Sequence, residues 1–441
     1  HALNKASVNN KKKKINDVRK LVFDTKNQLW IGTYNGLYIH HKNKPITTLK
    51  YKNYDSKSLS KNSIKSILID KKGSIWVGTY YGGLNIWDDT NTNFINFSEK
   101  NNSKKINYNV VSSIEQYKNL LFIGTEGKGV NIFDTESVNL KRKNNQIILE
   151  DKNIKSLFVD KETLWIGTFG NGLYVFDIKK RTFKNDKSIE LIQDILKNRN
   201  VYSIKKDKEK ILWFGVFGLG VVKYNPYNGT YKIFKNDLLD NNSISSNFVR
   251  SITLDSKNNV WASTQNGLNK ITNTNNIIRY FYNNSIQSGD DIATIYEDKN
   301  KTIWIGTKAK GLYKLEGNTF IKTPLFGKNG IISIVHSILE DDNNNLWIST
   351  NEGIVKYNIK STKCTIFNQK DGLIGNEFNN NSSLKVGETQ FYFGGPNGIS
   401  SFNTDNFTTN SYNPQVLITD FKVKNQSIKV NDKSKILVAD F

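Results

Sequence analysis

One short phrase recurs along the chain, and this repetition constrains the fold more than any other feature. Residues 29–37 read LWIGTYNGL, residues 164–173 read LWIGTFGNGL and residues 303–312 read IWIGTKAKGL. Related copies begin at residues 29, 75, 121, 164, 212, 260, 303, 346 and 391, so that successive starts lie 43–48 residues apart. A near-constant period of this length indicates similar units stacked or arranged in a ring.

Each unit has the same internal pattern of short apolar segments. A first run ends in an acid, as in IKSILID at 64–70, and a polar turn leads into the LWIGT run. A turn with glycine then precedes a third run such as GLYVFD at 172–177, and a looser fourth run such as CTIF at 364–367 closes the unit. The LWIGT run is apolar on both faces, which predicts a strand buried on both sides. Four short strands at this period predict an all-β fold, a β-propeller of four-stranded blades.

Three residue types recur at fixed places in the unit. The Asn-Gly pairs Asn35-Gly36, Asn266-Gly267 and Asn397-Gly398 predict two-residue hairpin turns. The repeated tryptophans are predicted to fill the space between adjacent blades; they are Trp30, Trp76, Trp165, Trp213, Trp261, Trp304 and Trp347. The repeated acids are predicted to close turns and cap strands rather than to catalyse a reaction; they are Asp24, Asp70, Asp160, Asp255 and Asp341.

The ninth unit shows only three good strands, which bears on the number of blades. An open ring would leave a sheet edge exposed, so we expect an upstream segment to supply the fourth strand. If INF at 95–97 supplies it, the ring has seven blades, and if ITTLKY at 46–51 supplies it, the ring has eight. We predict a seven-bladed propeller over 94–410. Residues 1–93 would then hold blades of a preceding propeller, or the first blades of a larger ring, and 411–441 would begin a truncated β domain.

The net charge of +23 admits two explanations. Lysine and asparagine dominate the polar positions, which codon usage alone could produce. The alternative is a preference for an anionic partner such as an acidic polysaccharide, a nucleic acid or a lipid surface. The run KKKK at 11–14 is more typical of a solvated chain end than of a phosphate clamp. No apolar stretch is long enough to span a membrane, so we expect no membrane contact from this chain.

Longer stretches resemble a known family. The stretch YDSKSLSKNSIKSILIDKKGSIWVGTYYGGLNIWD at 54–88 resembles the two-component regulator propeller repeat. The stretch FYFGGPNGISSFNTDNF, followed by PQVLITDFKVKN, resembles the end of the last propeller and the entry to an immunoglobulin-like domain. The resemblance implies the periplasmic sensor region of a hybrid two-component histidine kinase of the Bacteroidetes. Such a region signals across the membrane through rearrangement of a homodimer, and the kinase lies elsewhere in the full-length protein.

The residues offer little for catalysis. The HExxH, GxSxG and P-loop patterns and the paired Cys/His spacings of metal sites do not occur. Of the four histidines, His336 lies in the apolar run VHSILED and is predicted to pack there. We therefore predict no catalytic residue, no cofactor and no metal. The alternatives are a propeller lyase or hydrolase acting on glycans, and a basic scaffold that binds a protein or nucleic acid.

Recognition of a ligand has better support. In a four-stranded blade, the turn between the second and third strands lies on the same face as the link between blades, and these turns vary in sequence here. Aromatic side chains stack on sugar rings, whereas lysines and amides bond hydroxyls or carboxylates. We predict that this face binds an oligosaccharide, an acidic one included, and not nucleic acid. The alternative for each aromatic is simple packing against a neighbouring loop. The predicted ligand-binding residues are Tyr80, Tyr81, Lys128, Phe169, Asn171, Phe217, Gln265, Lys308, Lys310, Asn351 and Glu352.

Overall fold

The computed structural model describes most of the chain, and nearly all of its regular structure is antiparallel sheet. The described residues are 6–8, 11–13, 15–42, 44–52, 58–88, 93–101, 104–135, 145–280, 291–327, 330–405, 407 and 419–427. Within them the predicted four-strand unit recurs along the chain, which confirms the all-β class.

Seven four-stranded sheets, counted over the described residues, lie between Ile95 and Asn403, and we number them I to VII. Sheet I contains Val111–Tyr117, Leu120–Thr125, Val130–Asp134 and Asn145–Ile148. Sheet II contains Ile154–Asp160, Thr163–Thr168, Leu173–Asp177 and Thr182–Phe183. Sheet III contains Asn200–Lys206, Leu212–Phe217, Gly220–Tyr224 and Tyr231–Phe234.

The remaining sheets of this series follow the same order. Sheet IV contains Val249–Leu254, Val260–Thr264, Gly267–Ile271 and Ile277–Tyr280. Sheet V contains Ile292–Glu297, Ile303–Thr307, Leu312–Glu316 and Thr319–Thr323. Sheet VI contains Val335–Glu340, Asn345–Thr350, Ile354–Asn358 and Cys364–Phe367. Sheet VII contains Ser383–Val386, Gln390–Gly395 and Gly398–Asn403, with Ile95–Phe97 as its fourth strand.

Sheet VII joins the two ends of this series. Ile95, Asn96 and Phe97 pair with Ser401, Ser400 and Ile399 in antiparallel register. The other segment considered for this role belongs to the strand Lys44–Leu49, which pairs within its own sheet. The first strands of sheets I to VII contact one another in order, and the first strand of sheet VII contacts that of sheet I. This cyclic order is that of a β-propeller, with the first strands nearest the axis.

Two further sheets precede the series. The first contains Val18–Phe23, Leu29–Thr33, Gly36–His41 and Lys44–Leu49. The second contains only Ile64–Ile69, Ile75–Thr79 and Gly83–Trp87 in the described part of the chain. One face of this second sheet carries exposed apolar side chains, because Leu84 and Ile86 are 61% and 54% exposed.

The other elements are short. The hairpins are Ala6–Val8 with Lys11–Lys13, Phe326–Gly327 with Gly330–Ile331, and Lys422–Val423 with Gln426–Ser427. The helix Lys187–Ile195 and the 3-10 turn Gln369–Asp371 lie in links between sheets. In the described residues, no helix has the length and apolar character needed to cross a bilayer. Most of the predicted C-terminal β domain, 411–441, lies outside the described residues.

The second strands of sheets I to VII are buried on both faces, as predicted, because each packs between two neighbouring sheets; in the second N-terminal sheet, Trp76 and Gly78 are only half-buried. All five residues of Leu29–Thr33 and of Ile303–Thr307 are buried. Trp213 of sheet III packs in one apolar cluster with Val249 and Ile252 of sheet IV. The prediction that tryptophans fill the space between blades is confirmed at this and similar positions.

The repeated aspartate fastens each tryptophan to the turn before it. The Trp347 indole N–H donates to Asp341 Oδ2 at 2.8 Å, and the backbone N–H groups of Asn343 and Asn345 donate to Asp341 Oδ1. The same indole-to-carboxylate bond, 2.7–2.9 Å long, occurs at Trp30, Trp76, Trp213, Trp261 and Trp304. The carboxylate therefore accepts hydrogen bonds from both the turn N–H groups and the indole N–H, which supports the predicted capping role.

Asp160 departs from this pattern. Its turn is one residue shorter, with Lys161 at a φ of 52°, and the buried Trp165 indole nitrogen has no hydrogen-bond partner in the described part of the chain. Asp160 instead pairs with Lys206 of the next sheet. The prediction that Asp160 closes a turn like the other four acids is therefore wrong, and the shortened loop is the reason.

The Asn-Gly turns are also placed differently from the prediction. Thr33 pairs with Gly36 and Gly395 pairs with Gly398, so the turn residues stand one place earlier, as in Pro396-Asn397. The glycine is required for another reason. A Cβ atom on Gly398, whose φ is 124°, would lie 2.0 Å from the Phe97 carbonyl oxygen of the fourth strand.

Asp341 provides a stability test. Asp341→Ala should lower the free energy of unfolding by about 3 kcal/mol, because it leaves the buried Trp347 indole and the turn N–H groups without an acceptor. Chemical unfolding followed by tryptophan fluorescence measures the change. Asp160→Ala is the matched control and should cost less than about 1 kcal/mol, because only a partly exposed ion pair is lost. Equal losses for the two variants would contradict the role given to the indole bond.

Glu115 in the first strand of sheet I gives stability a pH dependence. Burial raises the pKa of its carboxyl to about 7, and the charge of Lys205 opposes the rise. Because the folded pKa exceeds the unfolded value near 4.5, this group stabilises the fold fully below pH 4.5 and loses that contribution as pH rises through 7.

Glu115→Gln should therefore raise the free energy of unfolding at pH 8 by on the order of 2–3 kcal/mol and leave it nearly unchanged at pH 4.5. Urea unfolding at the two pH values measures the difference. The exposed Glu209→Gln is the control and should show no pH-dependent gain. A gain for Glu115→Gln of the same size at both pH values would exclude titration as its cause.

Candidate functional site

The turns after the second strands and the links between sheets meet on one face. The N–H of the residue after the second strand donates to a carbonyl just before the first strand of the same sheet. Phe169 donates to Asn153 at 2.9 Å, and Lys308 donates to Asp291 at 3.1 Å. The same bond joins Glu126 to Val110, Gln265 to Phe248 and Tyr80 to Ser63. We call this surface the turn face.

In sheets I to VI, a β-bulge places one extra residue of the first strand on this face. In sheets I to VI the pairing register shifts across a single residue, which is left between a β-branched residue and Ser or Thr. A bulge redirects its side chain out of the ladder. The bulged residues are Ser112, Lys155, Tyr202, Arg250, Ala293 and His336.

Four bulged residues line a cavity of about 190 Å³ together with residues of the link that precedes sheet VII. Since sheets I to IV and this link all contribute to it, the cavity lies at the centre of the ring. We call it the central mouth; its lining residues are Ser112, Glu126, Lys155, Tyr202, Arg250, Asn379, Asn380 and Asn381.

The segment from Asn379 to Asn381, which lines the mouth, is held by hydrogen bonds to distant sheets. Asn379 Nδ2 donates to the Val111 carbonyl at 2.8 Å, in sheet I. Asn381 Nδ2 donates to the Ala293 carbonyl at 3.0 Å, in sheet V, and Asn381 Oδ1 accepts from the Ser251 hydroxyl at 3.3 Å. The segment from Asn379 to Asn381 therefore ties three sheets across the axis and fixes the shape of the cavity.

The two cations that line the mouth are paired with acids, one in the lining and one beside it. Lys155 Nζ lies 2.7 Å from Glu126 Oε1. Arg250 Nε donates to Asp291 Oδ1 at 2.6 Å, and Lys308 Nζ lies 3.0 Å from the other oxygen of Asp291. Among the lining residues, Lys155 and Arg250 against Glu126 leave a surplus of one positive charge.

Aromatic rings lie beside these cations. Lys155 Nζ is 5.6 Å from the centre of the Phe169 ring and 5.5 Å from that of Tyr202. The Arg250 guanidinium carbon is 5.2 Å from the Phe217 ring centre, and Phe217 contacts the Tyr202 ring at 5.3 Å. Such contacts hold each cation in place by cation–π attraction.

His336 packs at the edge of the mouth. Its Nδ1 lies 2.7 Å from Asn380 Oδ1, and burial lowers the pKa of the imidazole below its usual value near 6.5. The ring is therefore neutral near pH 7, with the charge of Lys308 favouring the same form. This agrees with the predicted packing role. Among the described residues, no group of three His, Cys, Asp or Glu side chains is placed to hold a metal ion.

The structure brings together only some of the predicted ligand-binding residues. Phe217 contacts the Tyr202 ring of the mouth, and Lys308 pairs with Asp291, which also binds Arg250. Phe169, which is 47% exposed, lies beside Lys155. Tyr80 and Tyr81 belong to the second N-terminal sheet, where their rings contact each other at 4.3 Å.

The other predicted residues occupy separate turns. Lys128 and Asn171 are exposed, and Gln265, Lys310, Asn351 and Glu352 are half-buried. Of these, Asn351 carries a buried side-chain oxygen without a hydrogen-bond partner among the described residues. Ligand binding by the predicted set stays a prediction.

Sequence reasoning missed the residues that line the mouth. The sequence places Lys155 and Arg250 within first-strand runs, IKSLFVD at 154–160 and VRSITLD at 249–255, and singles out none of Lys155, Tyr202 and Arg250 as a ligand-binding residue. A signal was present, because this one position varies from serine to arginine while the flanking β-branched residue and the hydroxyl residue recur. Nothing local marked the segment Asn379 to Asn381, since its role depends on contacts with distant sheets.

Comparison with known proteins agrees with this architecture. The model of the family described as two component regulator propeller matches residues 58–81, 243–266, 286–309 and 329–352. The chain carries repeats of the two-component regulator propeller family. Each matched stretch spans the end of a link, a first strand and a second strand of one repeat.

Relatives and solved structures extend the match. Histidine kinase P4 of Formosa agariphila is 43% identical over 187 residues, which make up 41% of this chain and 14% of that protein. The extracellular domain described as that of the hybrid two-component system BT3049 from B. thetaiotaomicron superposes with a TM-score of 0.75 at 24% identity. That match covers 96% of this chain and 58% of the solved one.

A second solved structure has the same fold. It is the extracellular domain described as that of the one-component system BT4673 from B. thetaiotaomicron, with a TM-score of 0.56 at 22% identity, covering 95% of this chain and 57% of the solved one. These likenesses confirm the β-propeller class, and the matched repeats agree with the predicted family. The chain spans somewhat more than half of the structures it matches and a small part of the kinase.

Proposed function

We propose that this chain is the ligand-sensing, periplasmic part of a hybrid two-component sensor histidine kinase, and that it binds an oligosaccharide on the turn face. The observation that carries the sensor role is the match of the repeats to the two-component regulator propeller family, together with identity to a histidine kinase over 187 residues. Catalysis would belong to a kinase domain of the full-length protein, and the repeats would supply recognition.

We propose the following division of the chain. Residues 94–410 form a seven-bladed propeller closed by the strand Ile95–Phe97. Residues 1–93 hold blades of a preceding propeller, which is supported by the three-stranded second sheet and its exposed apolar face. Residues 411–441 begin an immunoglobulin-like domain that would connect to the membrane.

The chemistry of the turn face supports a carbohydrate ligand. Aromatic rings lie next to cations at three separate sheets, as in Arg19 over Tyr34 at 5.0 Å, Lys65 over Tyr80 at 5.7 Å and Lys155 over Phe169 at 5.6 Å. An aromatic ring offers a stacking surface for a sugar, and an adjacent cation attracts a carboxylate or sulfate. In the full-length protein, bound ligand would change how two sensor regions of a homodimer dock.

Isothermal titration against neutral, uronate-containing and sulfated oligosaccharides tests the ligand class. We expect saturable binding of at least one acidic oligosaccharide, weakened as salt rises because exposed charges are screened. Random-sequence DNA of similar charge is the control and should bind at least tenfold more weakly. Absence of binding to every oligosaccharide would contradict the proposed ligand, and stronger binding of the DNA would favour a nucleic-acid scaffold.

A further inference from the structure

We propose that the central mouth binds the terminal residue of the oligosaccharide, a single sugar ring that carries one anionic group. The anionic group would lie between Lys155 and Arg250, with the ring against Tyr202. This inference rests on the proposed function, because it names the part of the turn face that recognises the ligand and the chemistry it selects.

The size of the mouth limits what enters it. Its volume of about 190 Å³ is below the roughly 300 Å³ at which pockets for drug-sized ligands begin. One sugar ring fits such a volume, whereas two linked rings do not. Asn379 and Asn381 line the mouth and reach across the axis to Val111, Ser251 and Ala293, so the chain of a longer sugar would leave through the opening on the turn face. The mouth therefore recognises a chain end.

The side chains of three consecutive sheets determine which ligand charge the mouth prefers. Lys155, Tyr202 and Arg250 occupy the same bulge position in sheets II, III and IV, so that an aromatic ring lies between two cations. The surplus of one positive charge on this wall matches a ligand end with one negative charge. Pairing with Glu126 and Asp291 holds the two cations apart and in fixed positions.

Several polar groups of the mouth are available to a ligand. Arg250 uses Nε for Asp291, and its two terminal NH₂ groups make no hydrogen bond within the described part of the chain. The Tyr202 hydroxyl and the Asn380 side-chain NH₂ are likewise unbonded among the residues described. The guanidinium can take a carboxylate or sulfate with two parallel bonds, while the hydroxyl and the amide can meet sugar hydroxyls.

The test uses titration calorimetry with oligosaccharides whose terminal residue is defined. The probes are trisaccharides that end in a uronate, in the methyl ester of that uronate, or in a sulfated neutral sugar. We expect the uronate or the sulfate end to bind, and the neutral ester to bind at least tenfold more weakly. Comparison of the uronate and sulfate arms identifies which anionic group is selected. A disaccharide and a hexasaccharide with the same end should bind within about threefold of each other.

Variants then locate the site. Arg250→Gln and Lys155→Gln should each weaken binding of the acidic end by about 10- to 100-fold, the range expected for a lost charge-assisted hydrogen bond. Tyr202→Phe keeps the ring and its packing and should weaken binding by about three- to tenfold. The matched control is Lys257→Gln, which changes an exposed lysine in the turn between the first and second strands of sheet IV, away from the turn face, and should bind as the unmodified chain does.

The outcomes separate the two proposals. If the unmodified chain binds an acidic oligosaccharide but Arg250→Gln, Lys155→Gln and Tyr202→Phe bind it equally well, the mouth is not the site, and the proposed function stands. Equal affinity for the acid and its methyl ester also overturns the inference. If the unmodified chain binds no oligosaccharide, both fail. Thermal melting shows that each variant is folded, and Tyr202→Phe keeps the test valid if a charge variant does not fold.

Discussion

Pairing between two segments about three hundred positions apart in the sequence underlies the rest of the structure. Ile95–Phe97 adds the fourth strand to a sheet whose other strands end at Asn403, and this pairing fixes the first and last sheets of the series together. The Ser400 hydroxyl donates to Asn96 Oδ1 at 3.0 Å, and the Ser382 hydroxyl donates to the Val111 carbonyl at 3.1 Å. Without this closure the first strands would have no fixed order around an axis, and the mouth would not exist.

Two recurring structural features serve different purposes, one for stability and the other for recognition. On the side of the turns between first and second strands, the repeated aspartate satisfies a buried indole and a tight turn together. On the turn face, the bulge in the first strands of sheets I to VI directs one side chain towards the axis while its neighbours stay in the ladder. The bulged residue does not make the same packing contact in every sheet. Its identity therefore varies between sheets, from Ser112 in sheet I to Arg250 in sheet IV, and a rigid repetitive fold can present different side chains.

Much of the fold was predictable from the sequence, because the same local sequence pattern occurs in every repeat. The buried LWIGT strand, the tryptophan between sheets and INF as a candidate closing strand all follow from composition and period. The glycine after each turn was assigned to the turn itself, whereas its need arises from a carbonyl of the fourth strand, which the turn sequence does not contain. The helix Lys187–Ile195 was also missed, since it occurs once, although Asp186 caps its start and Ile189 and Ile192 are buried. The mouth was missed because it is assembled from one residue of each of several sheets.

The central claim is that closure by Ile95–Phe97 orders the sheets around one axis, and a cross-link tests it most directly. Asn96 and Ser400 are direct partners, so cysteines at these two positions, with the native Cys364 replaced by serine, should form an intramolecular disulfide under mild oxidation. The account predicts a cross-linked monomer with unchanged thermal melting or a higher melting temperature. Failure to cross-link within the folded monomer, or cross-links formed only between chains, would contradict it.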